Sequence, residues 1–239
     1  MRMIDANVCF GFWPKRNIDA SPGEILRRMD KAEIETALIS SFHGIVNDFI
    51  EANGFTLELC KQHSDRFIPV ATINPQTYFW VKEEVTRMND AGVKLIRFWP
   101  EEQEWSVSQL HFTNLMEEID KTDMSVMLPS TQSVTAIGAL AKNFSNNIIL
   151  ETIKGYPKLA EIIAVANDVD NFFIETHLIA SPGFVEIITD EVEEGRMVFG
   201  TGAPLHTISS AIMPIAKAKV TDDLKADIFA GTIERILGL

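Results

Sequence analysis

Only 2 cysteines and 2 tyrosines occur among the 239 residues, and 21 basic side chains face 34 acidic ones. Each shortage removes a class of protein. Two thiols, Cys9 and Cys60, cannot build the disulfide framework of a small secreted scaffold, and a reduced compartment is expected. The net charge of −13 repels phosphate backbones and anionic bilayers at long range, so neither nucleic acid nor membrane is an expected partner. No apolar run approaches the roughly 18–20 residues that a membrane span needs. The first residues lead directly into Ile4-Asp5-Ala6-Asn7-Val8, without the apolar core and small-residue cleavage site of a leader, which makes the cytoplasm the expected location. Glycine is absent where a nucleotide loop needs it. Val8-Cys9-Phe10-Gly11-Phe12 offers one glycine where a dinucleotide fingerprint requires three.

What is present is alternation. Runs rich in Val, Ile and Phe predict strands at Met3–Val8, Thr36–Ser41, Phe67–Asn74, Gly92–Trp99, Ser125–Ser130, Asn147–Thr152, Phe172–His177 and Met197–Gly200. They are apolar without strict alternation, as strands covered on both faces are. Between them, spacing near 3.6 predicts helices: Leu159, Ile162, Ile163 and Ala166 form one face, and Leu224, Ile228, Ile233 and Leu237 approximate another. Ser21-Pro22-Gly23-Glu24 reads as a capping box, and Ser181-Pro182-Gly183 as a second helix opening. Eight strand–helix units in one chain predict a single α/β domain spanning residues 1–239, a (β/α)8 TIM barrel. An open doubly wound sheet shows the same alternation and is the rival architecture.

In such a barrel the chemistry sits at the C-terminal ends of the strands. Those ends carry Asn7 and Cys9, then Arg97 and Trp99, Glu151 and Thr152, Glu175 and His177, and finally Thr201 and His206. Alternation along a strand puts Asp5, Asn7 and Cys9 on one face, and likewise Glu175 and His177. A carboxylate beside an imidazole suits proton transfer, and equally suits a hydrogen-bonded pair that seals the barrel end. Cys9 is a candidate nucleophile or a buried small hydrophobe. Arg97 either grips a substrate carboxylate or pairs with Glu151 or Glu175. Trp13, Trp99 and Trp105 either wall the mouth or pack within their loops.

Several of these segments resemble the amidohydrolase-related branch of the amidohydrolase superfamily, TIM-barrel metal-dependent hydrolases and decarboxylases. The resemblance is carried by Met3-Ile4-Asp5-Ala6-Asn7-Val8-Cys9, by Asp65 through Pro75, by Gly92-Val93-Lys94-Leu95-Ile96-Arg97-Phe98-Trp99-Pro100, by Val198-Phe199-Gly200-Thr201-Gly202-Ala203-Pro204 and by the closing Gly231 to Leu239. It covers essentially the whole chain in order. The same resemblance implies a lost metal centre. The family's two first-strand histidines fall on Asn7 and Cys9, its fifth-strand histidine on Pro129, its sixth on Thr152 or Glu151, and its catalytic aspartate on Gly202. Proline and glycine have no side-chain donor, so no metal or other cofactor is expected.

Two functions from different classes follow. One is a hydrolase-like or lyase enzyme acting on a small carboxylated substrate without the usual metal. In it Glu175, His177 and Cys9 are the catalytic candidates, and Asn7, Arg97, Trp99, Glu151, Thr201 and His206 are the substrate-binding ones. The other is a catalytically inactive barrel that binds a small molecule or a protein partner. Phe12, Trp13 and Trp105, read as exposed loop aromatics, leave room for a homodimer.

Overall fold

The structure is a computed structural model that describes residues 1–77, 79–151, 156–179, 181 and 183–239. Among them, eight parallel strands run in chain order around a closed barrel. These are β1 (Ile4–Phe10), β2 (Thr36–Ser41), β3 (Phe67–Pro69 continued by Ala71–Thr72), β4 (Leu95–Arg97), β5 (Ser125–Pro129), β6 (Ile148–Glu151), β7 (Phe172–Glu175) and β8 (Met197–Val198). Every ladder joins sequence neighbours in parallel. The last strand closes on the first through a Val8–Ala203 bridge, with Ala6 N donating to Phe199 O at 2.9 Å and Cys9 N to Ala203 O at 2.8 Å. Helices lie between the strands, and none among the described residues is long and apolar enough to cross a membrane.

β2 has the bounds that the sequence predicts, and the other strands are shorter at one or both ends or displaced. Gly92 adopts φ +79° in the turn before β4, a conformation glycine reaches without a Cβ clash, so that strand begins only at Leu95. Thr152 and Pro182 lie outside the described residues. Ser21 caps the first helix by accepting from Glu24 N, but the Glu24 carboxylate reaches forward to Arg27 and Arg28 rather than back to Ser21. Only half of the capping box forms, because two guanidiniums outbid one backbone N–H.

The barrel is filled by Ile4, Ala6, Leu38, Val70, Leu95, Met127, Ile149 and Val198. Outward residues of the same strands, such as Ile96, Val126, Leu128, Ile148, Leu150 and Ile174, pack under the helices. This in–out alternation places Arg97, Pro129, Glu151 and Glu175 one layer above the apolar plug, at the mouth, with His177 beyond Glu175. In β1 a register shift between Asp5 and Val8 interrupts the alternation. The face predicted for Asp5, Asn7 and Cys9 is therefore broken below Asn7. Leu159, Ile162 and Ala166 are buried as their spacing implies. The 4-5-4 spacing of Leu224, Ile228, Ile233 and Leu237 is accommodated by a π-helical turn, Asp227–Gly231, whose wider i→i+5 turn keeps them on one side.

Of the three tryptophans read as a wall for the mouth or as loop packing, Trp105 lies away from the mouth. It packs against Phe98 (ring centroids 5.8 Å apart) and Phe112 (4.8 Å) between β4 and the helix Leu110–Ile119. Trp13 and Trp105 are both buried, which leaves Phe12 as the exposed aromatic of that trio. Phe112 is fully buried and meets Phe98 edge-on at 5.1 Å. Phe112→Ala should lower the unfolding free energy by about 3–5 kcal/mol in urea denaturation, the loss expected of an uncollapsed aromatic cavity.

Candidate functional site

A cavity of about 610 Å³ opens at the C-terminal ends of the strands, lined by Lys15, Arg16, Arg97, Trp99, Glu151, His177, Gly202 and His206 among others. Its floor is a buried charge network. Arg97, 4% exposed, grips Glu151 with both arms, Nε to Oε2 at 3.0 Å and Nη2 to Oε1. Its Nη1 donates to Cys9 Sγ at 3.1 Å, and its Cζ stacks 3.9 Å from the Trp99 ring centroid. Burial would raise the Glu151 carboxyl, but the Arg97 and His177 charges outweigh it and hold Glu151 below the usual carboxylate range. Burial pushes the Cys9 thiol up despite Arg97, so its sulfur stays protonated and makes a second contact with Ser40 Oγ at 3.4 Å.

Beside this pair, the i,i+2 spacing on β7 brings Glu175 and His177 together. Glu175 Oε1 accepts from His177 N at 2.9 Å and Oε2 faces His177 Nδ1 at 2.5 Å. Burial works against a charged imidazole, but Glu175 and Glu151 prevail and raise His177 above its ordinary value. The proton on Nδ1 is committed to Glu175, which leaves Nε2 as the free nitrogen of a ring that lines the cavity. Asn7 Nδ2 lies 3.3 Å from His177 Nδ1, while Asn7 Oδ1 is buried without a partner. The Nδ1 proton points to Glu175, and the Asn7 side chain also bonds the Glu151 carboxylate, which holds its amide nitrogen on this side.

The segment after β8 makes room for this arrangement with two glycines. A Cβ on Gly200 would sit 2.7 Å from Glu175 Cδ and 2.9 Å from Asn7 Cβ. One on Gly202 would sit 2.7 Å from His177 Cδ2 and 2.9 Å from His206 Cδ2. Thr201, between them, turns down to Asp5, donating from N at 2.9 Å and from Oγ1 at 2.5 Å.

Of the sequence candidates, Arg97, Trp99, Glu151, His177 and His206 line the cavity, with Asn7, Glu175 and Cys9 bonded to those side chains from beneath. Thr201 contributes to the floor through Asp5 and not to the lining. His43 lies in the short helix His43–Val46, faces Glu51 at 2.8 Å and is not among the lining residues. Lys15 and Arg16 were missed. They sit on the loop after β1, Lys15 beside Glu102 at 3.8 Å and Arg16 donating to Leu205 O at 3.1 Å. Their position after a barrel strand was the available signal.

The closed parallel barrel with its polar C-terminal mouth defines the class. A family described as amidohydrolase matches residues 13–239, and the chain belongs to that family. Solved structures agree on the TIM-barrel fold. A 5-carboxyvanillate decarboxylase from Sphingomonas paucimobilis is 15% identical with a TM-score of 0.78, over 100% of this chain and 99% of that one. An uncharacterised TIM-barrel protein from Bordetella bronchiseptica is 17% identical with a TM-score of 0.79, over 100% and 99%. A dihydroxybenzoic acid decarboxylase from Polaromonas, solved with bound manganese and 2-nitroresorcinol, is 16% identical with a TM-score of 0.74, over 100% and 97%. No curated protein matches the sequence.

Asp5 is fully buried, and desolvation, with Glu175 adding to it, drives its carboxyl up to about 7 despite three hydrogen bonds. A carboxyl raised on folding contributes stability that is complete below its unfolded value and lost as pH rises through the folded one. Relative to Asp5→Asn, which keeps the acceptor oxygen, the native protein should lose about 2–3 kcal/mol of unfolding free energy between about pH 5 and about pH 8. Urea titrations at the two pH values measure the difference.

Proposed function

We propose that this chain is an acid–base enzyme acting on a small carboxylated compound, with decarboxylation as the reaction, and that it works without a divalent ion at the strand ends. The observation that carries the reading is the Glu175–His177 pair on the floor of the cavity, an imidazole held protonated with Nε2 free. Its neighbourhood to solved decarboxylases of carboxylated aromatic compounds supplies the reaction class.

The donor set does not fit a divalent ion. Asn7 offers a neutral amide, and Pro129 and Gly202 offer nothing. Both Glu151 oxygens are taken by Arg97, and the Cys9 sulfur is protonated and faces the same guanidinium. An ion bound here would stand beside a fixed positive charge. Among the described residues no three His, Cys, Asp or Glu side chains are grouped to hold a metal.

At the rim Lys15 and Arg16 stand with Glu101 and Glu102, and Lys15 faces Glu102 at 3.8 Å, so Arg16 is the cation there that a substrate carboxylate would meet. Trp99, buried against Arg97, offers an apolar wall for a flat substrate body. His177 delivers its Nε2 proton to the carbon that bore the carboxylate. The electron pair of the breaking C–C bond forms the C–H bond, and carbon dioxide leaves. Glu175 stabilises the imidazolium before transfer, and the ring is reprotonated before the next turnover. A second reading, a non-catalytic barrel that binds a small molecule or a partner, is favoured by one feature: Arg97 is fully engaged by Glu151, Cys9 and Trp99 and so is not free to anchor a substrate.

Chelator-dialysed protein should release carbon dioxide from a member of a panel of small aromatic and unsaturated carboxylic acids, with kcat unchanged by added manganese or zinc. His177→Gln should reduce kcat by about 10²–10⁴-fold, the range for a lost general acid. Binding of an acid without release, unaffected by His177→Gln, would establish the non-catalytic barrel instead. Activity only after metal addition would overturn the metal-free site.

A further inference from the structure

The role of His206 follows from a turn. Gly202 takes φ +65°, and His206 N donates to Gly202 O at 3.1 Å, so the chain folds back and lays the His206 ring over the glycine. There it meets His177, with ring centroids 5.1 Å apart and planes inclined by 54°. Both rings present their Cδ2 edges to the space where a Gly202 side chain would stand. From His177 it is the Cδ2–Cγ edge that faces this space, 2.7 and 3.3 Å from where the Cβ would stand, and both residues line the cavity. Two imidazolium charges this close repel each other. His177 faces Glu175, Glu151 and Arg97, whereas His206 faces His177, Arg16, Glu151 and Glu175 and has no carboxylate bonded to it. The asymmetry of partners places the proton on His177.

We propose that His177 and His206 form a coupled acid–base pair that holds one proton between them across Gly202, with His177 the acid and His206 the base. The assignment extends the decarboxylation reading and rests on it for its chemical use. In turnover His206 takes the proton from an O–H or N–H group of the substrate, the bonding electrons staying on the heteroatom, while His177 protonates carbon. The proton on His206 then returns to His177. The net change moves one proton from heteroatom to carbon as carbon dioxide leaves, and no co-reactant is required. Burial together with the His177 charge depresses His206 below its ordinary value, in keeping with a base that is neutral when its partner is charged.

The test is the titration of the histidine Cε1–H signals of the intact chain by NMR, with each signal assigned by a His→Gln substitution. In His177→Gln the His206 midpoint should rise by about half a unit to one unit, because the neighbouring charge is gone. Gly202→Ala, which wedges a methyl between the rings, should raise the same midpoint and serves as the second variant should His177→Gln fail to fold. A His206 midpoint unmoved by either substitution overturns the pair. The titration needs no turnover, so its failure is separable from that of the decarboxylation reading: rings that couple in a protein releasing no carbon dioxide would sink the reaction, and uncoupled rings in an active protein would sink the pair. In active protein His206→Gln should abolish the acid limb of the kcat profile and leave the alkaline limb, a split that a merely structural histidine would not produce.

Discussion

A guanidinium sealed inside a barrel is unstable unless every face of it is matched, and Arg97 imposes that demand on the mouth of this protein. Removing a charge from water costs several kcal/mol, and geometry must return it through close, oriented partners. Glu151 meets two of its nitrogens, Cys9 sulfur meets a third, and Trp99 covers its flat side. Those contacts decide the states of the neighbours as well. Glu151 remains ionised because Arg97 is there, and together with Glu175 it keeps His177 charged. The same guanidinium sets a fixed positive charge against both the Glu151 carboxylate and the Cys9 sulfur at the strand ends.

The second constraint is steric and comes from what the segment after β8 omits. Gly200 leaves space for the Glu175 carboxylate, and Gly202 leaves space for two imidazole rings. Close packing permits no voids of that size unless something fills them. The buried carboxylate on β7 and the missing side chains that follow β8 are thus two halves of one fit. Thr201 points the other way, pinning Asp5 below the site and linking the two strands that close the barrel.

Much of this was legible from residue order. Apolar runs separated by helical spacing implied the eight units, and Thr36–Ser41 was read to its ends. Strand ends elsewhere were overestimated because apolar character continues past the last ladder bond: Phe98 and Trp99 are buried, yet they lie beyond β4. The Glu175–His177 contact was readable because an i,i+2 pair on a strand needs no knowledge of the rest of the chain. Whether Trp105 walls the mouth or packs elsewhere stayed open, because aromatic character near a strand end does not say which side of the sheet it will pack on. Lys15 and Arg16 carried no pattern beyond their loop, and Asp5 lost the face expected of it to a register shift that leaves no mark in the residue types.

The sequence by itself determined the eight strand–helix units, the polar character of their C-terminal ends and the Glu175–His177 pair, because each depends on short-range periodicity. Which charges neutralise one another was decided only by the tertiary structure. Arg97 and Glu151 are 54 residues apart, and Cys9 and Arg97 are 88. The roles of Gly200 and Gly202 belong to the same category, since a missing side chain acquires meaning only from what stands opposite it. Closure of the barrel supplies those opposites: electrostatic coupling and steric exclusion act across a few ångströms of space, whatever the distance along the chain.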